Sequence, residues 1–177
     1  MNFERLEKNI CDNIYEAQLK LGYDKRPMSL NYMSSSLMHL IGSEASIEIL
    51  EQFADYVSAR LGKLSFLPIK NGFCLTIPAE GTEYVHSQYN GSSFMAKLVE
   101  TVRKHADTQK VLSLFREASQ NVSINDINSE EFRYLAYFPD KTPDEYYYCI
   151  SEEEEMDGSI HASYHRFIRE DYEEFGF

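Results

Sequence analysis

The sequence predicts an α+β fold, and three observations carry that prediction. Apolar residues recur at helical spacing through the first two thirds of the chain. An Asn-Gly pair stands between two apolar, strand-like runs. From Val122 onward the pattern changes to short aromatic runs separated by turn residues. Helices and a hairpin come first and a meander follows, which is not the alternation of a parallel α/β sheet. The expected architecture is about five helices with a β-hairpin, then a C-terminal antiparallel meander. A single compact domain over residues 1–177 is expected, since no repeat or low-complexity linker interrupts the chain. That length suffices to bury a core without a disulfide or metal staple.

The N-terminal helix is the clearest element. Phe3, Leu6, Ile10, Ile14, Ala17 and Leu21 recur at spacings of 3 and 4 and place one apolar stripe on a helix that Gly22 stops. Leu6, Ile10, Ile14 and Leu21 are the expected core residues. After Pro27, Met28 to Tyr32 alternates and reads as a strand or an extended linker. Ser34 to Ser36 cap a brief helix through Leu37, Leu40 and Ile41, closed by Gly42. Ser43 is the candidate cap of the next, whose stripe is Ile47, Leu50, Ala54, Val57 and Leu61, with Gly62 at its end.

Periodicity then switches to strand. Leu64 to Lys70 and Phe73 to Ile77 flank Asn71-Gly72, read as a two-residue turn in which both positions take positive φ. Pro68 has no N–H to give a ladder, so its strand belongs at a sheet edge. Residues 82–91 read as either a short helix or a loop. Met95, Leu98, Val99, Val102 and Ala106 form one further helical stripe. Asp107 caps another, through Val111, Leu112, Phe115 and Ala118.

Three aromatic runs follow: 132–138, 146–150 and 159–164. They read as a three-stranded meander. The first has a competing reading, a helix begun by Asn128 and Ser129 with Glu130 and Glu131 in its first turn. A short acidic helix near 165–174 closes the chain.

The charge balance excludes whole classes of function. The net charge is −12, from 29 acids and 17 bases, which opposes unassisted binding to nucleic acid or to anionic membranes. No apolar run approaches the length of a spanning helix, and the start Met1-Asn2-Phe3-Glu4-Arg5 lacks a signal peptide's apolar core. Cys11, Cys74 and Cys149 are odd in number and form no C-x-x-C pair. Reduced thiols and a cytoplasmic location are the expectation.

Chemistry-bearing motifs are few. Nucleophile-elbow, Walker and dinucleotide signatures are absent. His161 and His165 have a metal-like i, i+4 spacing that would converge on a helix. Ile160, Ala162 and Tyr164 alternate with them, which argues for a strand and a separation of about 13 Å. Glu153 to Ile160 imitates part of a calcium loop, but Tyr164 stands where a bidentate carboxylate is needed, so an acidic hairpin turn is the better reading. Gly91-Ser92-Ser93 reads as a helix start. Lys97, Arg103, Lys104, His105, Lys110 and Arg116 form a local basic patch without interleaved stacking aromatics. No catalytic, cofactor-binding or metal residue is assigned, and no cofactor is expected.

Phe3-Glu4-Arg5-Leu6-Glu7-Lys8, Gln18-Leu19-Lys20-Leu21-Gly22-Tyr23, Leu30-Asn31-Tyr32 and Ser36-Leu37 are similar to a group of small uncharacterised bacterial proteins, a domain of unknown function. The resemblance covers about the first quarter of the chain. It implies a bacterial, cytosolic origin and carries over no functional residue.

Residues 129–177 hold 14 of the acids but only four bases, a net of −10. The function expected is that of a non-catalytic interaction or regulatory protein. Its surface would be the tyrosine-rich meander from Phe132 to Tyr164, rimmed by Glu152 to Glu155 and Asp157, facing a basic protein partner. The alternative is an enzyme or small-ligand binder with a pocket between helices and sheet. No oligomeric state is assigned.

Overall fold

In the computed structural model, which describes residues 1–175, the N-terminal stripe becomes one helix, α1 (Phe3–Leu21). Asn2 Oδ1 accepts from the Arg5 N–H at its start, and the Gly22 N–H donates to Gln18 O at its end. Leu6, Ile10 and Ile14 are fully buried. Leu21, expected beside them, is 80% exposed, because it belongs to the last helical turn, where the chain is already leaving the core.

Contacts gather the chain into two compact units, Met1–Gly91 and Ser92–Phe177. In the first, α1 is followed by β1 (Met28–Met33), α2 (Ser34–Ile41), α3 (Ile47–Leu61), β2 (Ser65–Ile69), β3 (Gly72–Ile77) and α4 (Ala79–Gln88). The ambiguous 82–91 stretch is therefore mostly helix. Its strands pair antiparallel in the order β1-β3-β2. Pro68 lies on β2 at the sheet edge, as its missing donor requires.

Three sequence readings need correction here. The hairpin turn is Lys70-Asn71, not Asn71-Gly72, since Ile69 pairs with Gly72. Asn71 has φ 62°, whereas Gly72 lies within β3 without positive φ. The cap of α3 is Ser46, whose Oγ accepts from Ile49 N–H, and not Ser43, which lies too far upstream to reach the helix's free amides. The helix α2 starts at Ser34 with Met33 as its cap residue and no side-chain cap bond. Within the α3 stripe Ile47 is exposed, and Phe53 is buried and meets Phe3 edge-on at 5.5 Å.

The second unit holds α5 (Ser93–Arg103), α6 (Thr108–Ala118), β4 (Ser123–Asp126), β5 (Tyr134–Tyr137), β6 (Tyr146–Glu154), β7 (Ile160–Ile168) and α7 (Arg169–Phe175). Ser92 caps α5 and Asp107 caps α6, each through its side-chain oxygen. The run at 132–138 is a strand; Ser129 closes a turn onto Phe132 instead of starting a helix. Among the described residues the meander has four strands, β4-β5-β6-β7, all antiparallel. The extra strand β4 is short and polar, so it carries no apolar alternation to announce it.

Alternation across β6 sends its side chains to two cores. On one face Tyr148 joins Phe94, Phe115 and Phe138, with ring centroids 4.9–5.8 Å apart. Tyr148 O–H donates to buried Asp144 at 2.6 Å. Burial first, then the Asp144 charge, hold the Tyr148 phenol well above its ordinary range. On the other face Phe132, Leu135 and Cys149 pack with Tyr137, Tyr147 and Tyr172. Tyr146, Tyr148 and Tyr164 are therefore core residues rather than a displayed surface. Their size and β propensity suit them to a sheet interior, given a partner for each hydroxyl.

Candidate functional site

The β6–β7 hairpin carries the most distinctive chemistry. Its turn is tied by Gly158 N–H to Glu155 O and by Glu155 N–H to Ser159 O. Asp157 Oδ1 accepts from both the N–H and the hydroxyl of Ser159. These bonds hold the Asp157 carboxyl below its usual range. The calcium-like run is thus a hairpin turn whose aspartate is spent on its own backbone. Met156 stands fully exposed at the tip, between Glu155 and Asp157.

Further down the hairpin the glutamates engage the fold. Glu152 accepts from Thr108 Oγ1 at 2.8 Å and from Arg133 Nη1 at 3.0 Å. Glu153 lies opposite His161 in the β6–β7 register, with Glu153 Oε2 and His161 Nε2 3.1 Å apart. Glu155 Oε1 lies 3.4 Å from His161 Nδ1 and 3.8 Å from His105 Nδ1.

His105 reaches this place from the α5–α6 connector. Its backbone has φ 56°, and the next residue, Ala106, accepts the Ala162 N–H at 2.9 Å. That bond fastens the connector along the outer edge of β7, the end strand of its sheet. The His105 and His161 rings meet edge-on, with centroids 4.9 Å apart. One ligand-type atom from each of His105, Glu155 and His161 lies within 4.8 Å of the other two. A hollow of about 440 Å³ opens beside them, bordered by Thr101, Lys104, Asp107 and Lys110.

The histidine pair singled out by spacing is not brought together. Both lie on β7, four residues apart, and His165 instead meets the Phe132 ring at 5.5 Å. His161 finds its imidazole partner 56 positions upstream. No local pattern encodes that meeting, which goes with the Ala106–Ala162 bond between the connector and β7.

The remaining candidates resolve into structure. Burial pushes the Cys11 thiol up to about 12 and the Cys149 thiol up to about 11, so neither is a thiolate at neutral pH. Within the basic patch Lys104 pairs with Glu100 at 2.8 Å. A small cavity between α5 and α6, lined by Phe94, Lys97, Leu114 and Pro143 among others, holds about 140 Å³. Small-molecule sites start at about 300 Å³.

No curated protein and no solved structure matches the chain. A family profile does, over residues 3–176, so the likeness seen in the first quarter extends to nearly the whole chain. No helix among the described residues is long and apolar enough to cross a membrane. On that match the chain belongs to the bacterial family DUF3877, described as a domain of unknown function from an E. rectale gene.

Proposed function

We propose that the protein acts by binding, as a non-catalytic interaction module of the bacterial cytoplasm, and that the tip of the β6–β7 hairpin is its contact with a basic protein partner. The observation that carries this reading is Met156. It is a large apolar side chain, fully exposed, set among Glu154, Glu155 and Asp157. An apolar anchor with a charged rim is the usual make-up of a compact interface. The acids would speed encounter with a cationic surface and make it salt-sensitive.

Affinity capture from native bacterial lysate tests the reading. Wild-type bait should retain a basic protein at low salt and release it at high salt. A Glu154→Lys, Met156→Ser bait should not retain it. Retention of nothing, or equal retention by both baits, overturns the reading.

A further inference from the structure

His161 stands in the arrangement of a metal-ligating imidazole. Its Nε2 faces Glu153 Oε2 at 3.1 Å. With a proton on Nε2 shared with that carboxylate, Nδ1 is the ring nitrogen that can present a lone pair to an ion. That Nδ1 is buried and has no hydrogen-bond partner. A buried ring nitrogen that makes no hydrogen bond is costly unless a charge or an ion meets it, and here the Glu155 carboxylate lies 3.4 Å away. A carboxylate on the far nitrogen is the usual second support of a histidine that binds metal.

Glu155 and His105, beside this nitrogen, are both of ligand type. Glu155 Oε1 lies 3.4 Å from His161 Nδ1, and His105 Nδ1 lies 3.8 Å from the same oxygen. A tetrahedral zinc ion with bonds of about 2.1 Å holds its ligand atoms about 3.4 Å apart. The cluster thus approaches that spacing already. Lys104, which borders the hollow, has its charge paired with Glu100 at 2.8 Å. Glu153, Glu154 and Glu155 supply negative charge.

We propose that His105, Glu155 and His161 bind one divalent transition-metal ion of the zinc class, with Glu153 as the positioning residue behind His161. Two imidazoles and one carboxylate are a donor set suited to zinc and unsuited to magnesium or calcium, which take oxygen shells. Three protein ligands leave a fourth position facing the adjoining hollow, open to water or to a donor from another molecule. The ion would clip three segments together: the α5–α6 connector, the hairpin turn and the start of β7. This site stands apart from the docking reading, because it needs no partner protein.

Titration of the untagged, chelator-stripped full chain with zinc chloride, followed by calorimetry, tests it. The expected result is one zinc per chain with a dissociation constant on the order of micromolar or tighter. Cobalt(II) in its place should give the visible absorption of a tetrahedral site. His105→Ala and His161→Ala should each abolish stoichiometric binding. Glu153→Gln should keep the stoichiometry and weaken affinity roughly 10-fold to 100-fold. His165→Ala, on the same strand, should bind as wild type does. His105 and Glu155 are exposed, so His105→Ala and Glu155→Gln remain decisive if His161→Ala fails to fold. Absence of stoichiometric zinc from the wild type, or unchanged binding in His105→Ala, overturns the site.

Discussion

Gly72 and Tyr32 stand so close across the β1–β3 ladder that a Cβ built on Gly72 would lie 1.9 Å from the Tyr32 carbonyl oxygen. The obstacle is backbone, which cannot swing aside as a side chain does. The same Cβ would lie 3.0 Å from Met33 Cα. Gly72 is thus required by the approach of a neighbouring strand and not by the conformation of a turn.

Gly72→Val should cost at least about 3 kcal/mol, through forced separation of β1 from β3. Asn71→Gly, at the residue with positive φ, should be tolerated, whereas Asn71→Val should cost about 1–2 kcal/mol. Urea unfolding midpoints of the three variants check the assignment. Normal stability in Gly72→Val would mean that β1 does not pair there.

Ile14→Ala tests the core of the first unit. Ile14 is fully buried on the α1 stripe, so the change removes transfer energy and leaves a cavity. A loss of about 2–4 kcal/mol is expected. Leu21→Ala, on the same stripe but largely exposed, should change stability by less than about 0.5 kcal/mol. Equal losses from the two would contradict the placement of α1.

Alkaline pH should destabilise the fold before any backbone chemistry begins. Desolvation by burial raises the Cys11 thiol from an ordinary 9.0 to about 12, and the Tyr148 phenol also lies well above its ordinary 10.0. Above pH 9 the unfolded chain therefore binds fewer protons than the native one, and stability falls as pH rises. The stabilisation is whole below about pH 9 and is lost progressively up to about 12. For Cys11 alone the slope is on the order of 1 kcal/mol per pH unit. Urea midpoints at pH 8, 9.5 and 10.5 should fall in that order. A flat series would show that these groups ionise freely in the native state.

The sequence by itself determined the local elements, because they depend on short-range spacing. The α1 stripe, the glycines closing α1, α2 and α3, the Asp107 cap and the edge position of Pro68 each follow from residues within a turn or two of one another. Where nearby residues compete, local reading slipped: the turn moved one residue, from Asn71-Gly72 to Lys70-Asn71, and the cap moved three, from Ser43 to Ser46. The strand β4 escaped because its stability comes from pairing with β5 rather than from its own side chains. Only the tertiary structure decided what required two distant segments to meet. It placed the division between the two units at Gly91–Ser92, within a loop of a few residues too short to read as a linker. It turned Tyr146, Tyr148 and Tyr164 inward, since the sheet had helices to cover that face. And it carried His105 to His161 through one backbone hydrogen bond at the edge of β7, a contact set by loop closure and sheet register, neither of which is written in the spacing of side chains along the chain.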